Sequence, residues 1–154
     1  MKCLIMRTKK LWIVFVAFAV LILSCTKDEE PCEAIIENSG IIVASVNISS
    51  CDEPFYQGSF VIRTNAEYNE LLSTNTNCDR PFIDFSSYTL LGRYAYTANT
   101  GSYFRNVEID TAHSRYVYTI TVENCGSCNC LSENMNWVTV PKLPDEWDVK
   151  FVVE

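Results

Sequence analysis

The chain has 154 residues, 48% of them hydrophobic, with 12 Lys+Arg against 19 Asp+Glu and a formal charge of −7. Removing residues 1–24 would take away Lys2, Arg7, Lys9 and Lys10 and no acid, leaving 8 basic and 19 acidic residues, a charge of −11. A surface so acidic excludes nucleic acid as a partner and disfavours adsorption to anionic lipid.

The first element is an address. Four positive charges lie within residues 1–10, 13 apolar residues follow from Leu11 to Leu23, and Ser24 precedes Cys25. The apolar run is short for a bilayer span, which takes about 20 residues. It fits the core of a secretory signal peptide. A cysteine directly after Ile22-Leu23-Ser24 makes it a lipoprotein signal, with cleavage before Cys25 and acyl chains on that residue. One chain holds a membrane only marginally, so stable anchoring takes more than one. Residues 1–24 are therefore read as a signal peptide, 25–31 as a lipidated acidic tether and 32–154 as a single domain. The 130 residues from Cys25 onward are enough to bury a core.

Thr26-Lys27-Asp28-Glu29-Glu30 is a charge run that would serve as a solvated tether. Lys27, Asp28, Glu29 and Glu30 also resemble the lipoprotein export signal of Bacteroidetes. That resemblance implies the outer face of the outer membrane. If order begins near Cys32, the tether extends at most ~20 Å.

Next come the elements of the domain. Gly40–Ser49 reads as a strand, with β-branched Ile41, Ile42, Val43, Val46 and Ile48. Gly58–Arg63 is a short strand around Ser59-Phe60-Val61-Ile62. Thr64-Asn65-Ala66-Glu67 is a capping box opening a helix that runs to Leu72. Tyr88–Thr97 is a strand. Ser102–Asp110 and Arg115–Glu123 form a hairpin about Thr111-Ala112-His113-Ser114, the second arm alternating with period 2. Asn136–Val140 and Asp148–Val153 complete the set, parted by Pro141 and Pro144. The expected fold is α+β and β-rich: about seven mostly antiparallel strands with one short helix, arranged as a curved sheet or a small barrel or sandwich.

Several strings resemble a known family. Val61-Ile62-Arg63-Thr64 leads into Glu67-Tyr68-Asn69-Glu70-Leu71, followed by Pro81-Phe82-Ile83-Asp84-Phe85, Leu90-Leu91-Gly92, Thr100-Gly101-Ser102-Tyr103 and Val138-Thr139-Val140-Pro141-Lys142. Together they resemble the PrcB-like domain, named for an accessory subunit of a bacterial surface protease complex. The resemblance implies a noncatalytic domain that binds or stabilises a partner, and it carries no catalytic residues.

Chemistry-bearing residues are few. Of eight cysteines, Cys3 would leave with the signal and Cys25 take lipid. Cys32, Cys51, Cys78, Cys125, Cys128 and Cys130 remain, an even number in an oxidising compartment, which implies three disulfides. Cys32 and Cys51 flank the first strand and are expected to pair. Cys78 would then join one of the late cysteines. Cys125 bridges Cys130 more easily across Gly126 than Cys128 does, which leaves Cys128 for Cys78. A soft-metal site or thiol exchange at Cys125–Cys130 is the alternative use of those thiols, and export favours disulfides over both.

His113, the only histidine, falls in the hairpin turn, so no histidine-activated nucleophile is expected beyond it. Asp84 is read as a turn cap. The strand aromatics Tyr88, Tyr94, Tyr96, Tyr103, Phe104, Tyr116 and Tyr118 are read as sheet packing, with a stacking face as the alternative. Asp110-Thr111-Ala112 matches a short O-glycosylation acceptor pattern at Thr111.

The sequence thus points to a cell-envelope lipoprotein with a noncatalytic interaction domain. It would be anchored by lipid, bind another envelope protein, face the cell exterior and need no cofactor. The alternative is a ligand- or metal-binding lipoprotein that uses the cysteine cluster or an aromatic strand face.

Overall fold

The computed structural model describes residues 34–48, 58–73, 79–98, 100–125 and 131–154. Within them lie eight strands and one α-helix: β1 Ile36–Gly40, β2 Ala44–Val46, β3 Ser59–Ile62, α1 Asn65–Ser73, β4 Tyr88–Thr97, β5 Thr100–Asp110, β6 Arg115–Cys125, β7 Ser132–Pro141 and β8 Asp148–Val153. They form two open four-stranded sheets, β1-β5-β6-β8 and β2-β7-β4-β3. The second sheet is antiparallel throughout. In the first, β1 runs parallel to β5 and β8 parallel to β6, with an antiparallel pair between them. Of the expected architectures, the barrel is excluded because each sheet keeps two edges.

The sheets pack face to face. Alternation along each strand decides which side chains go inward. Tyr103 and Val107 of β5, Tyr116, Tyr118 and Ile120 of β6, Leu91 and Ala95 of β4, and Val138 and Val140 of β7 share one buried cluster. The opposite face of the second sheet carries α1. There Leu90, Ile62 and Trp137 meet Tyr68 and Leu72 of the helix and Ile83 and Phe85 of the segment after it. Tyr68 and Phe85 sit with ring centroids 5.7 Å apart, Phe60 and Trp137 5.4 Å. The result is three layers, with the β2-β7-β4-β3 sheet in the middle and buried on both faces.

The helix starts where its capping box lies. Thr64 Oγ1 accepts from the Glu67 amide at 3.2 Å, and Glu67 Oε2 accepts from the amides of Arg63 at 2.6 Å and Thr64 at 3.1 Å. These bonds satisfy donors that a helix N-terminus otherwise leaves open. At the other end Arg80 donates to the Leu72 carbonyl at 3.0 Å, placing a cation where the helix dipole favours one. Thr64→Ala is expected to cost about 1 kcal/mol, read from the midpoint of chemical denaturation. Thr64→Ser should recover most of it.

The segment 142–147 is tied back by cations on carbonyl oxygens. Lys142 Nζ donates to the Arg63 carbonyl at 2.7 Å and the Phe85 carbonyl at 2.9 Å, and Arg63 Nη2 donates to the Trp147 carbonyl at 2.5 Å. Leu143, fully buried, is fixed by its amide on Thr89 Oγ1 at 3.0 Å. This packing explains why the Pro141–Pro144 break is a structured bridge between β7 and β8.

One expected strand divides differently. The stretch read as a continuous strand over Gly40–Ser49 ends β1 at Gly40, crosses between sheets at 41–43 and resumes as β2. Gly40 has φ 68°, and a Cβ there would lie 2.1 Å from the Val107 carbonyl oxygen, so the corner requires glycine. Ile41 bonds through its amide to Val107 O and Val43 to Thr139 O, both at 2.9 Å, one partner in each sheet. Ile41 and Ile42 are apolar because the crossing packs on the core, not because it is strand.

Candidate functional site

A cleft of about 800 Å³ opens at the end of the sandwich where β4, β6, β7 and β8 converge. Its wall includes Arg93, Tyr96, Val122, Leu131, Glu133 and Val153. Tyr96, Leu131 and Val153 are 65%, 63% and 40% exposed, a concentration of apolar surface that water would rather lose. Tyr94 stands beside Tyr96 with ring centroids 6.3 Å apart. The side chains of Thr97 and Asn124 hydrogen-bond across the cleft and join β4 to β6.

Arg93 is the wall's one guanidinium. Its Nη1 donates to Ser59 Oγ at 2.7 Å, while its buried Nε finds no hydrogen-bond partner among the described residues. Carboxylates enter the wall from Glu133 and Glu154. Such a lining recognises by shape, aromatic contact and single charges. Its volume is that of a small-ligand site.

The residues singled out by the sequence fall as follows. Cys25, Lys27, Asp28, Glu29, Glu30, Cys32, Cys51, Cys78, Cys128 and Cys130 lie outside the described residues. Cys125 closes β6 opposite Thr100 in the register, and its side chain lies outside the description. Among the described residues, no group of three or more His, Cys, Asp or Glu side chains could hold a metal.

The hairpin turn is as read. Thr111–His113 forms a 3-10 turn, and Ser114 closes it at φ 52°. Thr111 and His113 are exposed. The His113 Nδ1 lies 2.8 Å from Asp110 Oδ2, and Arg115 Nε donates to that oxygen at 3.0 Å. The His113 hydrogen bond, then Arg115, holds the Asp110 carboxyl below its ordinary 3.8, against some desolvation.

A carboxyl whose folded pKa is depressed stabilises the fold above its unfolded pKa, and that contribution disappears as pH falls through the folded value. Asp110→Asn should therefore be less stable than the parent at neutral pH. The gap should close on acidification below the ordinary value, as read by thermal unfolding at a series of pH values.

Asp84 caps the turn into β4. Its Oδ1 accepts from the Ser86 hydroxyl at 2.5 Å and the Ser86 amide at 3.0 Å, and the Ser86 hydroxyl bond leads the causes that lower its pKa. Among the aromatics, Tyr103, Tyr116 and Tyr118 are buried, and Tyr88, Tyr94 and Phe104 half-buried. Tyr118 donates from its hydroxyl to the Asn136 carbonyl at 3.0 Å, and burial pushes its phenol well above the ordinary value. Only Tyr96 of this set is open to solvent, and the alternation that gave it away as a strand residue could not say that it borders a cleft.

No family model, no curated protein and no solved structure significantly matches the chain.

Proposed function

We propose that the protein is a cell-envelope lipoprotein whose domain binds a neighbouring envelope protein without performing catalysis. The observation that carries this reading is the order of residues 1–25: early positive charge, a 13-residue apolar run from Leu11 to Leu23, then Ser24-Cys25. On it rests anchoring through acyl chains on Cys25, while placement in the outer membrane rests on the resemblance of Lys27, Asp28, Glu29 and Glu30 to a lipoprotein export signal. The resemblance of residues 61–142 to the PrcB-like domain supports an accessory role. The exposed Tyr96, Leu131 and Val153 at the cleft supply an apolar surface of the kind a protein partner covers.

The tether directs the domain to the cell exterior. Replacing Lys27, Asp28, Glu29 and Glu30 together by alanine is expected to preserve acylation but to leave the protein facing the periplasm. Protease shaving of intact cells reads this directly: the parent is cut and the variant protected. Equal cutting of both would reduce the segment to a plain linker.

A second reading has its own observation. A cleft of about 800 Å³ beside two tyrosines also suits a small amphipathic ligand. Crosslinking in whole cells separates the two. Under the first reading the parent should give a protein crosslink that Leu131→Asp abolishes; under the second, neither form should crosslink a protein at the cleft.

A further inference from the structure

β8 is an edge strand of largely apolar sequence, Asp148-Val149-Lys150-Phe151-Val152-Val153, with neither proline nor glycine. Natural sheet edges are blunted by shortness, proline, bulges or lysine, because an open ladder invites another strand. Of the other three edges, β2 has three residues and β3 four, and β1 is polar and ends at Gly40. Three bonds fix how the β8 backbone is turned. The Asp148 amide donates to the Ser114 carbonyl at 3.4 Å, the Glu154 amide to the Ile120 carbonyl at 2.9 Å, and the Glu154 carbonyl accepts from the Val122 amide at 2.8 Å. Residues 148, 150, 152 and 154 therefore turn their amides and carbonyls toward β6. Alternation turns those of Val149, Phe151 and Val153 outward, where no described strand receives them.

The side chains alternate as well. Val149 and Phe151 pack inward on the core, and Val153, on the same face, is 40% exposed. Lys150, Val152 and Glu154 lie on the outer face, with both charges exposed. A lysine on an edge ordinarily discourages pairing. Here an acid stands four residues further on, and a second β8 laid antiparallel meets both. With the two-fold axis at Val152, this residue faces Val152 of the partner subunit, Lys150 faces the partner's Glu154, and Glu154 faces the partner's Lys150. On the inner face Phe151 lies opposite the partner's Val153, an aromatic and β-branched pair whose residues exchange both backbone hydrogen bonds. An axis at Phe151 would gain one more bonded pair but set Asp148 against Glu154 twice. An axis at Lys150 would set lysine on lysine. Like charges directly opposite are destabilising, so charge selects the Val152 register.

We propose that β8 is the interface of a homodimer, in which two copies of this chain pair edge to edge about Val152. The β1-β5-β6-β8 sheet then continues across the two-fold axis into its copy. The pairing covers the apolar Val153 and satisfies the outward backbone groups of Phe151 and Val153. It concerns the chain with itself and requires neither the lipid anchor nor an envelope partner, so it does not depend on the proposed function.

The test treats the full chain, solubilised in detergent, with a carbodiimide, which joins a lysine to a carboxylate in direct contact. An amide between Lys150 and Glu154 is expected, in a product of twice the chain mass. Within one copy these residues lie ~13 Å apart along the strand, so the amide reports two copies. Sedimentation measures the association without crosslinking. Lys150→Glu and Glu154→Lys should each weaken it about tenfold or more, because each sets like charges opposite. An equimolar mixture of the two variants should recover the dimer, since each copy supplies the charge the other lacks. That recovery separates a broken interface from a folding defect. Val153→Pro removes an outward amide, leaves the bonds to β6 in place and should give monomers. A monomeric parent, a crosslink joining other positions in place of 150 and 154, or a mixture that stays monomeric would each overturn the proposal.

Discussion

Cys25→Ser is expected to release the protein from the membrane entirely. Under the proposed lipoprotein reading, the serine hydroxyl cannot form the thioether that would carry the diacylglycerol, and the signal would not be processed at that position. What remains is a chain whose mature part is strongly acidic and has little electrostatic attraction for an anionic bilayer. Acyl labelling should vanish, and the domain should pass to the soluble envelope fraction. Cys3→Ser is the control, because that cysteine precedes the apolar run and would leave with it. Membrane retention and acylation in Cys25→Ser would remove the basis for the lipoprotein reading.

The second large effect is expected at the centre of the middle sheet. Trp137 is 1% exposed and faces Gly92 directly in the β4–β7 register. A Cβ on Gly92 would lie 2.1 Å from the Trp137 Cζ3, so the six-membered ring of the indole fills the space that a side chain at position 92 would need. Trp137→Ala should cost about 3–5 kcal/mol, the range for deleting a buried large aromatic. That is a large share of the roughly 5–15 kcal/mol that holds a typical domain.

Gly92→Ala should cost about 1–3 kcal/mol by overpacking. The two costs should not add, because removing the indole makes room for the methyl. Urea denaturation of both single variants and the double variant checks this. Additive losses would mean that Gly92 matters for its backbone and not for the ring above it.

The two predictions act on different links of the same chain of causes. One removes a covalent attachment and leaves the fold intact. The other leaves the attachment and weakens the layer on which the cleft is built. β4 contributes Arg93 and Tyr96 to the cleft, and β7 contributes Glu133 to it and the Trp137 carbonyl to Arg105. Loss of rigidity at Gly92–Trp137 is therefore expected to loosen the cleft and the hydrogen bond that Arg105 makes to the Trp137 carbonyl.

Read alone, the sequence placed most elements well. Tyr88–Thr97 and Asp148–Val153 begin and end where expected, Ser59–Ile62 falls one residue inside each end of the expected Gly58–Arg63, and the helix begins at its capping box. These signals are local: period 2, β-branching, and a hydroxyl and carboxylate at fixed spacing. It also defined the class of fold and the nature of Asp84 and His113 as turn residues.

Tertiary structure decided the rest. β1 has the polar sequence Ile36-Glu37-Asn38-Ser39-Gly40 and becomes a strand only because the parallel edge of β5 accepts it. Ile41 and Ile42 carry the apolar signature of a strand but cross between sheets, since burial selects apolar residues whatever the backbone does. Arg105 reads as an ordinary polar residue among aromatics and proves to be buried. Its neighbours Asn38 and Ser45 are 67 and 60 positions away. No local pattern links such residues, because the spacing that brings them together is the distance between strands in space, and only the order in which the sheets assemble sets it.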